Sequence, residues 1–334
     1  MDLSTVFLKP AFFSHIWGGR LLKDTFGKDT DDRTGESWEV SSQAKGESVI
    51  SGGEYDGMGL NNYIETLGEH FWGEQSAGDF PLLIKLIGAA DKLSVQVHPS
   101  DDNCMPGESG KAEAWVVLAA EPGAQLVFGT RCGKEEFARA LSEGRTADTL
   151  RYLPVKAGDV LNIEAGRLHA ITENIVIYEI QQNSDTTYRF YDWDRVDAVT
   201  GQPRQLHVER AMAVTDFDAL ETGAVEGLTL TVDGQKHTFY ICNDLFALER
   251  IDVKGRFADE KLGAFATYTL VEGEGTVDGR TVRPGDTLLT PADGQFVFEG
   301  EGVLLKGWAP GRERLTKYLK SLGVEDLSAV AQLK

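Results

Sequence analysis

PVKAGDVLNIEAGRLHAI, residues 154–171, has a counterpart later in the chain in TVRPGDTLLTPADGQFVF, residues 281–298. The two stretches share a basic residue, a small residue or proline, the pair Gly-Asp, and an apolar run that leads to a turn. Gly-Asp predicts a tight turn, because glycine tolerates positive φ and aspartate bonds its own backbone. Each apolar run after the turn predicts a strand. The repeat therefore predicts two related β-barrels in tandem.

The rest of the chain favours mainly β structure. Short apolar runs such as PLLIKLIGA (81–89) and NIVIYEIQQ (174–182) are bounded by Gly, Asp and Pro, which is typical of a sandwich or barrel. Helical patterns are few, and they occur at 60–72, at 133–153 and in RERLTKYLKSLG (312–323). We expect these helices to cover the β-structure.

The division into domains follows from a change of pattern near residues 222–235, where a Gly-containing stretch follows a helical segment. We expect a first domain at 1–232, with both helical insertions, and a second at 233–334. Aligned on the Gly-Asp turn, Phe296 falls opposite His169. We therefore expect polar site chemistry only in the first barrel, and a metal-free second barrel.

Composition limits the class of protein. Of 334 residues, 53 are acidic and 33 basic, which gives a formal net charge of −20. This charge argues against non-specific nucleic-acid binding and against docking on an anionic membrane. No apolar run approaches the ~18 residues that span a bilayer, and the start of the chain lacks a secretory pattern. We expect a cytoplasmic protein, and nothing in the sequence implies a protein partner.

Cysteines do not supply a site. Cys104, Cys132 and Cys242 are too scattered for a disulfide framework or a CxxC zinc site. Any metal must therefore be held by His, Glu, Asp or Gln.

The stretch KLSVQVHPSDDN (92–103) alternates as a strand does. Ser94, Gln96 and His98 share one face, and the two valines between them share the other. On a surface strand the polar face would simply meet water. Inside a barrel the same face would direct neutral ligand groups into a cavity. This stretch alone leaves both interpretations open.

Several motifs occur together in the order of one known family. They are QVHPSDD (96–102), GKAEAW (110–115), AGRLHAI (165–171) and YEIQQNSDTTYRFYDWDR (178–195), with WGG, GESWEVSS and PLLIKLIGA before them. In order and approximate spacing the chain resembles type I phosphomannose isomerases over residues 7 to 215. It is similar to the short bacterial branch, which implies tandem cupin (jelly-roll) barrels without a large helical domain.

The resemblance implies a zinc-dependent aldose–ketose isomerase. Its reaction interconverts D-mannose 6-phosphate and D-fructose 6-phosphate by proton transfer through an enediolate. The implied ligands of one zinc per chain are Gln96, His98, Glu113 and His169. Two imidazoles, a carboxylate and an amide oxygen suit such a metal and leave room for water or substrate. We expect the other histidines to be structural or exposed: His15, His70, His207 and His237.

The resemblance also implies substrate contacts. Lys85, Ser94 and Lys111 match residues that lie close to the substrate in the family. A lysine inside an apolar strand, as Lys85 is, is costly to bury without an anionic partner. Asp185 is a further substrate-binding candidate.

Two residues are implied for catalysis. Arg189 matches the active-site arginine of the family, and Glu179 matches a carboxylate of its site. Glu179 is the candidate base, and Lys111 or a metal-bound water are the alternatives. Two other classes stay open, namely a cupin isomerase or epimerase of another sugar, phosphorylated or not, and a non-catalytic sugar-binding regulatory cupin. A substrate panel separates the first and a metal assay the second, although the full set of implied ligands argues against the second.

Overall fold

The structure is a computed structural model that describes residues 3–74, 77–219, 222–259, 262–309 and 311–333. Strands outnumber helices in these residues, which confirms the prediction of a mainly β protein. The strands are β1 (Val6–Lys9), β2 (Ala11–Ser14), β3 (Thr34–Val40), β4 (Val49–Ser51), β5 (Leu82–Ala89), β6 (Val95–Val97), β7 (Glu113–Ala120), β8 (Gln125–Thr130), β9 (Leu150–Pro154), β10 (Val160–Ile163), β11 (His169–Ala170), β12 (Ile175–Gln182), β13 (Tyr188–Tyr191), β14 (Leu228–Val232), β15 (Gln235–Cys242), β16 (Ala247–Ala258), β17 (Ala266–Val277), β18 (Arg280–Val282), β19 (Thr287–Thr290) and β20 (Val297–Trp308). The helices are α1 (Leu21–Phe26), α2 (Leu60–Leu67), α3 (Glu69–Trp72), α4 (Lys134–Ser142), α5 (Val208–Val214) and α6 (Arg312–Ser321), with a 3-10 turn at Thr146–Thr149.

The chain divides into two compact units. The internal unit is Phe12–Glu36 and Leu86–Ala224, and the terminal unit is Met1–Ala11, Ser37–Lys85 and Val225–Lys334. The predicted first domain, 1–232, contains the whole internal unit together with Met1–Ala11, Ser37–Lys85 and residues 225–232 of the terminal unit. The assignment of 1–232 and 233–334 as domains stays a prediction.

The internal unit is built on antiparallel sheets. One has the strand order β13-β6-β11-β8-β9, and β10, β7 and β12 are neighbours in a sheet of order β10-β7-β12-β5-β3-β2. Apolar side chains from both sheets form one core cluster, in which Trp115 and Val117 of β7 meet Leu126 and Phe128 of β8. Burial of such side chains stabilises the fold by roughly 1.5–3 kcal/mol each.

Strand β6 shows why its sequence alternates. Val95 and Val97 are fully buried in a second cluster, with Phe137 of α4 and Ala211 of α5. Helices α4 and α5 thus cover the apolar outer face of this sheet. Ser94 and His98, on the opposite face, are also buried, so the polar face is enclosed rather than open to water.

The terminal unit contains a nine-stranded sheet of order β14-β15-β16-β20-β17-β19-β1-β4, with β18 paired to β17. Three of its strands are long, and β20 pairs with β16 and with β17 along its length. Its core includes Leu304, Phe298 and Tyr268, and α6 contributes Leu315 and Leu319. The amphipathic pattern of α6 therefore buries one face, as a helix covering a sheet requires.

The two Gly-Asp turns are built alike. Gly158 and Gly285 both have φ of 91°, a conformation that favours glycine. The Asp159 carboxylate accepts the backbone N–H three residues earlier at 2.9 Å, and Asp286 does the same at 2.8 Å. The predicted turn chemistry of the repeat is confirmed in both copies.

Of the two predicted helical insertions, one is confirmed and the other is only partly helical. Helices α2 and α3 lie within 60–72, as expected. The helix predicted over 133–153 ends at Ser142, and Leu150–Pro154 is strand β9. Gly144, with φ of 69°, breaks the helical path. The following segment then pairs with β8, and this long-range pairing overrides its helical pattern.

Within the described parts of the chain, no helix has the length and apolarity that crossing a bilayer requires.

Candidate metal centre

Three buried side chains converge inside the internal unit. His98 follows β6, Glu113 begins β7, and His169 begins β11. The Glu113 carboxylate lies 3.6 Å from His98 Nε2 and 3.3 Å from His169 Nε2. In the described residues these three form a group whose ligand atoms all lie within 4.8 Å of one another.

Backbone carbonyls orient the two imidazoles. His98 Nδ1 bonds the carbonyl of Thr186 and His169 Nδ1 bonds that of Arg167, each at 2.8 Å. Each Nδ1 therefore carries a proton, which leaves Nε2 as the ring nitrogen that faces Glu113 and is available to a metal. Burial lowers the pKa of His169 to about 3, so its ring is neutral near pH 7.

Two further predicted residues touch this cluster. Gln96 pairs in register with His169, and its side-chain amide approaches His169 Nε2 at 3.5 Å. Rotation of that amide exchanges its oxygen and nitrogen, so Gln96 can present an oxygen at the same place. Lys111 Nζ lies 2.9 Å from the Glu113 carboxylate and 3.2 Å from His98 Nε2. The cluster thus combines acceptors with one cation.

Arg189 lies on the neighbouring strand β13, opposite Gln96. Its Nε donates to Ser94 Oγ at 3.0 Å, and that hydroxyl donates to Gln96 Oε1 at 3.2 Å. Burial, followed by the charge of Arg204, lowers the pKa of Arg189 to about 10. The guanidinium is therefore still charged at pH 7.

Glu179 is buried on β12, directly opposite Trp115. Trp115 Nε1 donates to Glu179 Oε2 at 2.7 Å, and the indole packs edge-on against the ring of His169 at 5.3 Å. Glu179 is therefore connected to the cluster through Trp115.

The remaining predicted substrate-binding residues are Lys85 and Asp185. Lys85 belongs to the terminal unit, where it is 3% exposed and its ammonium lies 5.3 Å from the ring centre of Trp38. Asp185 is exposed in the loop between β12 and β13. The next residue, Thr186, supplies the carbonyl that orients His98.

Some residues at the site were not predicted from the sequence. Trp115 holds Glu179, and it stands in the quoted motif GKAEAW, two residues after Glu113 and so on the same strand face. That spacing was the available signal. The carbonyls of Thr186 and Arg167 left no signal, because a backbone group does not depend on residue type.

The expectation that polar site chemistry belongs only to the first barrel stays a prediction. The terminal unit buries its own polar network, in which His237 Nδ1 lies 2.5 Å from Glu249 and Lys306 Nζ lies 2.7 Å from Asp259. The Tyr268 hydroxyl donates to Asp259 at 2.5 Å. Phe296, the counterpart of His169, stacks on Tyr268 with 3.6 Å between ring centres. The residues of this network pair with one another, so His237 is structural, as expected.

The donors in the internal unit fit a divalent metal. Two neutral imidazoles and a carboxylate are common ligands of catalytic zinc, and such sites keep a position for water or substrate. The residues that would hold the ion are His98, Glu113 and His169, with Gln96 beside them. A mainly β, cupin-like fold that buries a His–Glu–His cluster compatible with a metal site is the class of protein that the structure defines.

Comparison with known proteins narrows this class. Residues 6–118 match the family model "Phosphomannose isomerase type I, catalytic domain". Mannose-6-phosphate isomerase of Streptococcus mutans is 34% identical over 299 residues, 86% of this chain and 92% of that protein. Mannose-6-phosphate isomerase ManA of Bacillus subtilis is 34% identical over 309 residues, 90% and 97% of the two chains. The crystal structure of the Bacillus subtilis mannose 6-phosphate isomerase superposes with a TM-score of 0.84 at 30% identity, covering 91% of this chain and 99% of that one. This chain belongs to the mannose-6-phosphate isomerase family and is an isomerase.

Proposed function

We propose that this enzyme interconverts D-mannose 6-phosphate and D-fructose 6-phosphate, with one zinc ion held by His98, Glu113, His169 and Gln96. The buried His98–Glu113–His169 cluster carries the proposal. Family membership supports the substrate, and the donor set supports zinc, since nitrogen and carboxylate donors without thiolate are typical of catalytic sites.

The difficult step is removal of a weakly acidic proton next to a carbonyl, which gives an enediolate. A bound zinc supplies Lewis-acid stabilisation of the negative charge on the substrate oxygens. Arg189 supplies a second, fixed positive charge, because Ser94 accepts from its Nε and Gln96 lies opposite it in the sheet. The burial of His98, Glu113 and His169 lowers the local dielectric constant and strengthens both interactions.

Proton transfer needs a base near the substrate. Glu179 is the candidate that the family resemblance implies, and its carboxylate is fixed by Trp115. Lys111 is the alternative, and its ammonium lies within the cluster itself. Isomerisation in deuterated water distinguishes them: loss of the base slows both isomerisation and isotope exchange at the substrate carbon. We expect this result for Glu179→Gln, and the same result for Lys111→Met alone would assign the base to Lys111.

We propose that the phosphate binds to Lys85, Ser94 and Lys111, and that Asp185 contacts substrate hydroxyls. A protein with net charge −20 repels an anion at long range, so the phosphate requires a local group of cations. Charge-assisted contacts contribute roughly 1.5–3 kcal/mol each. The enzyme therefore prefers mannose 6-phosphate over free mannose by several orders of magnitude in kcat/KM.

A substrate panel tests this function. We expect turnover of mannose 6-phosphate and fructose 6-phosphate, and a preference over mannose that falls in Lys85→Met and Lys111→Met while the metal stays bound. Lys92→Met, at a lysine paired with Glu173 near the surface, is the matched control and keeps the preference. Equal kcat/KM for mannose and mannose 6-phosphate would contradict the proposal and favour an isomerase of unphosphorylated sugars.

We also propose a catalytic cupin domain at 1–232, a metal-free cupin-like domain at 233–334, and a cytoplasmic location. The two alike Gly-Asp turns support two related domains. Cys104, Cys132 and Cys242 are all free thiols, as a reducing compartment requires.

A further inference from the structure

The segment 205–207, just before α5, lies against Arg189. The backbone N–H of His207 donates to the Arg189 carbonyl at 2.8 Å, and the backbone N–H of Arg189 donates to His207 Nδ1 at 3.2 Å. The Gln205 carbonyl accepts from Nη1 of the Arg189 guanidinium at 2.8 Å. This segment therefore makes three hydrogen bonds to a single residue.

These bonds complement the contact from Ser94. Ser94 holds Nε of the guanidinium, and Gln205 holds Nη1 of the same planar group. Two acceptors in fixed directions determine the plane of an arginine fork. The remaining guanidinium donors are thereby given a fixed direction beside Gln96, which lies opposite Arg189 in the sheet.

The ring of His207 can accept the backbone N–H of Arg189 in one protonation state only. Nδ1 accepts a hydrogen bond from a backbone N–H, so it must lack a proton, and Nε2 carries the ring proton. A protonated ring would donate from both nitrogens and lose the bond to Arg189.

The surroundings of His207 favour the neutral ring. Arg189 and Tyr188 face it from β13, Arg210 from α5, and Glu108 from the loop before β7. Burial, then the charges of Arg189 and Arg210, lower the pKa of His207, and Glu108 opposes them. Glu108 is itself engaged, because it pairs with Arg210 at 3.2 Å and accepts the hydroxyl of Tyr188.

We infer that His207 is a positioning residue of the isomerase: its backbone and neutral ring clasp the backbone of Arg189, so that Ser94 and Gln205 can aim the guanidinium. This inference rests on the proposed function, in which Arg189 stabilises charge on the substrate. His207 acts through Arg189 and does not touch the substrate.

Three substitutions test the clasp. Asparagine places an amide oxygen where histidine has Nδ1, so His207→Asn keeps the acceptor, whereas His207→Ala removes it and His207→Gln moves it outward. We expect kcat to fall about tenfold in His207→Ala and His207→Gln and to stay within about threefold of the parent in His207→Asn. KM and metal content should change little in all three. Equal kcat in His207→Ala and the parent, or equal losses in His207→Asn and His207→Ala, would overturn the inference.

The pH dependence of kcat distinguishes a positioning role of His207 from a purely structural one. Protonation of His207 breaks the clasp, so kcat of the parent should decline on the acid side with a component that is absent in His207→Asn. Identical acid limbs in the two proteins would contradict the inference.

Nitrogen NMR separates this inference from the proposed function. In the folded parent, the His207 ring should show a protonated Nε2 and a hydrogen-bonded, unprotonated Nδ1 at pH 7. A protonated Nδ1 would overturn the clasp whatever the substrate is. Absence of turnover of mannose 6-phosphate by the parent would instead reject the proposed function and leave the NMR result to decide the clasp.

Discussion

Each of the two units buries histidine beside glutamate, but the two units use the pair differently. In the internal unit, His98 and His169 bond backbone carbonyls through Nδ1 and turn Nε2 toward Glu113. In the terminal unit, His237 Nδ1 is hydrogen-bonded to Glu249 at 2.5 Å. The first arrangement leaves ring lone pairs directed at a shared point, and the second uses the ring to satisfy a carboxylate.

The lysines repeat this contrast. Lys111 lies among the converging groups of the internal unit, 2.9 Å from Glu113. Lys306 lies between two carboxylates, 2.7 Å from Asp259 and 3.7 Å from Glu249. The same residue types thus make a ligand cluster where acceptors converge, and a structural network where each acceptor has its own donor. Residue composition alone does not distinguish the two; the geometry does.

Removing a ligand should produce the largest effect. His98→Ala or His169→Ala is expected to abolish metal retention and turnover, because an open site that loses one ligand binds its metal weakly. His237→Ala is the matched control and should lower the melting temperature while folded protein keeps metal and activity. Metal content by elemental analysis and turnover measure both. Loss of metal in His237→Ala would contradict the claim that only the histidines of the internal unit hold the metal.

Lys306→Met should cause the largest loss of stability. It leaves Glu249 and Asp259 buried without their cation, which typically costs about 3–5 kcal/mol. Lys254→Met, at an exposed lysine of the same unit, should change the free energy of unfolding little. Denaturant titration measures both variants. A loss below about 1 kcal/mol in Lys306→Met would mean that the network does not depend on its lysine.

Arg189→Ala tests charge stabilisation in the internal unit alone. A donor aimed at developing charge typically supplies about 3 kcal/mol, so kcat should fall roughly a hundredfold with a small change in stability. Arg189→Lys should not restore the parent rate, because a point charge cannot replace a planar fork. Arg131→Ala, at an exposed arginine, is the control. A variant that melts early yet turns over normally when cold would make Arg189 structural.

Alkaline pH should destabilise the terminal unit through Tyr268 and Lys306. Burial, then Asp259, raises the pKa of Tyr268 well above 10. Burial alone would lower the pKa of Lys306, but Asp259 and Glu249 raise it above 10.5. The folded state then holds protons that the unfolded state releases, so this stability is complete below pH 10 and is lost as the pH rises further. Melting temperatures from pH 8 to 11 should fall more steeply in the parent than in Tyr268→Phe, and equal slopes would contradict this assignment.

The sequence allowed part of this molecule to be predicted. The turns at Gly158 and Gly285 could be predicted because turn conformation depends on only a few neighbouring residues. The alternation around Gln96 placed Gln96 and His98 on one face, and the resemblance carried by the quoted motifs implied the full ligand set. The pattern over 133–153 failed where long-range pairing made β9.

The polar network of the terminal unit and the clasp on Arg189 could not be predicted from the sequence. His237, Glu249 and Lys306 come from three strands, and only the sheet register brings them together. Of the three hydrogen bonds that residues 205–207 make to Arg189, two use the backbone of Gln205 and His207 and do not depend on residue type, and only the fold brings the His207 ring to the third.

The central claim is that the His98–Glu113–His169 cluster holds the one metal ion on which isomerisation depends. The direct test is to strip the parent protein with a chelator, add zinc back in steps, and follow bound metal and turnover of mannose 6-phosphate together. We expect turnover to be lost on stripping and to return in proportion to bound zinc, reaching its limit at about one ion per chain. Full turnover without metal, or a limit reached only at two ions per chain, would contradict the claim.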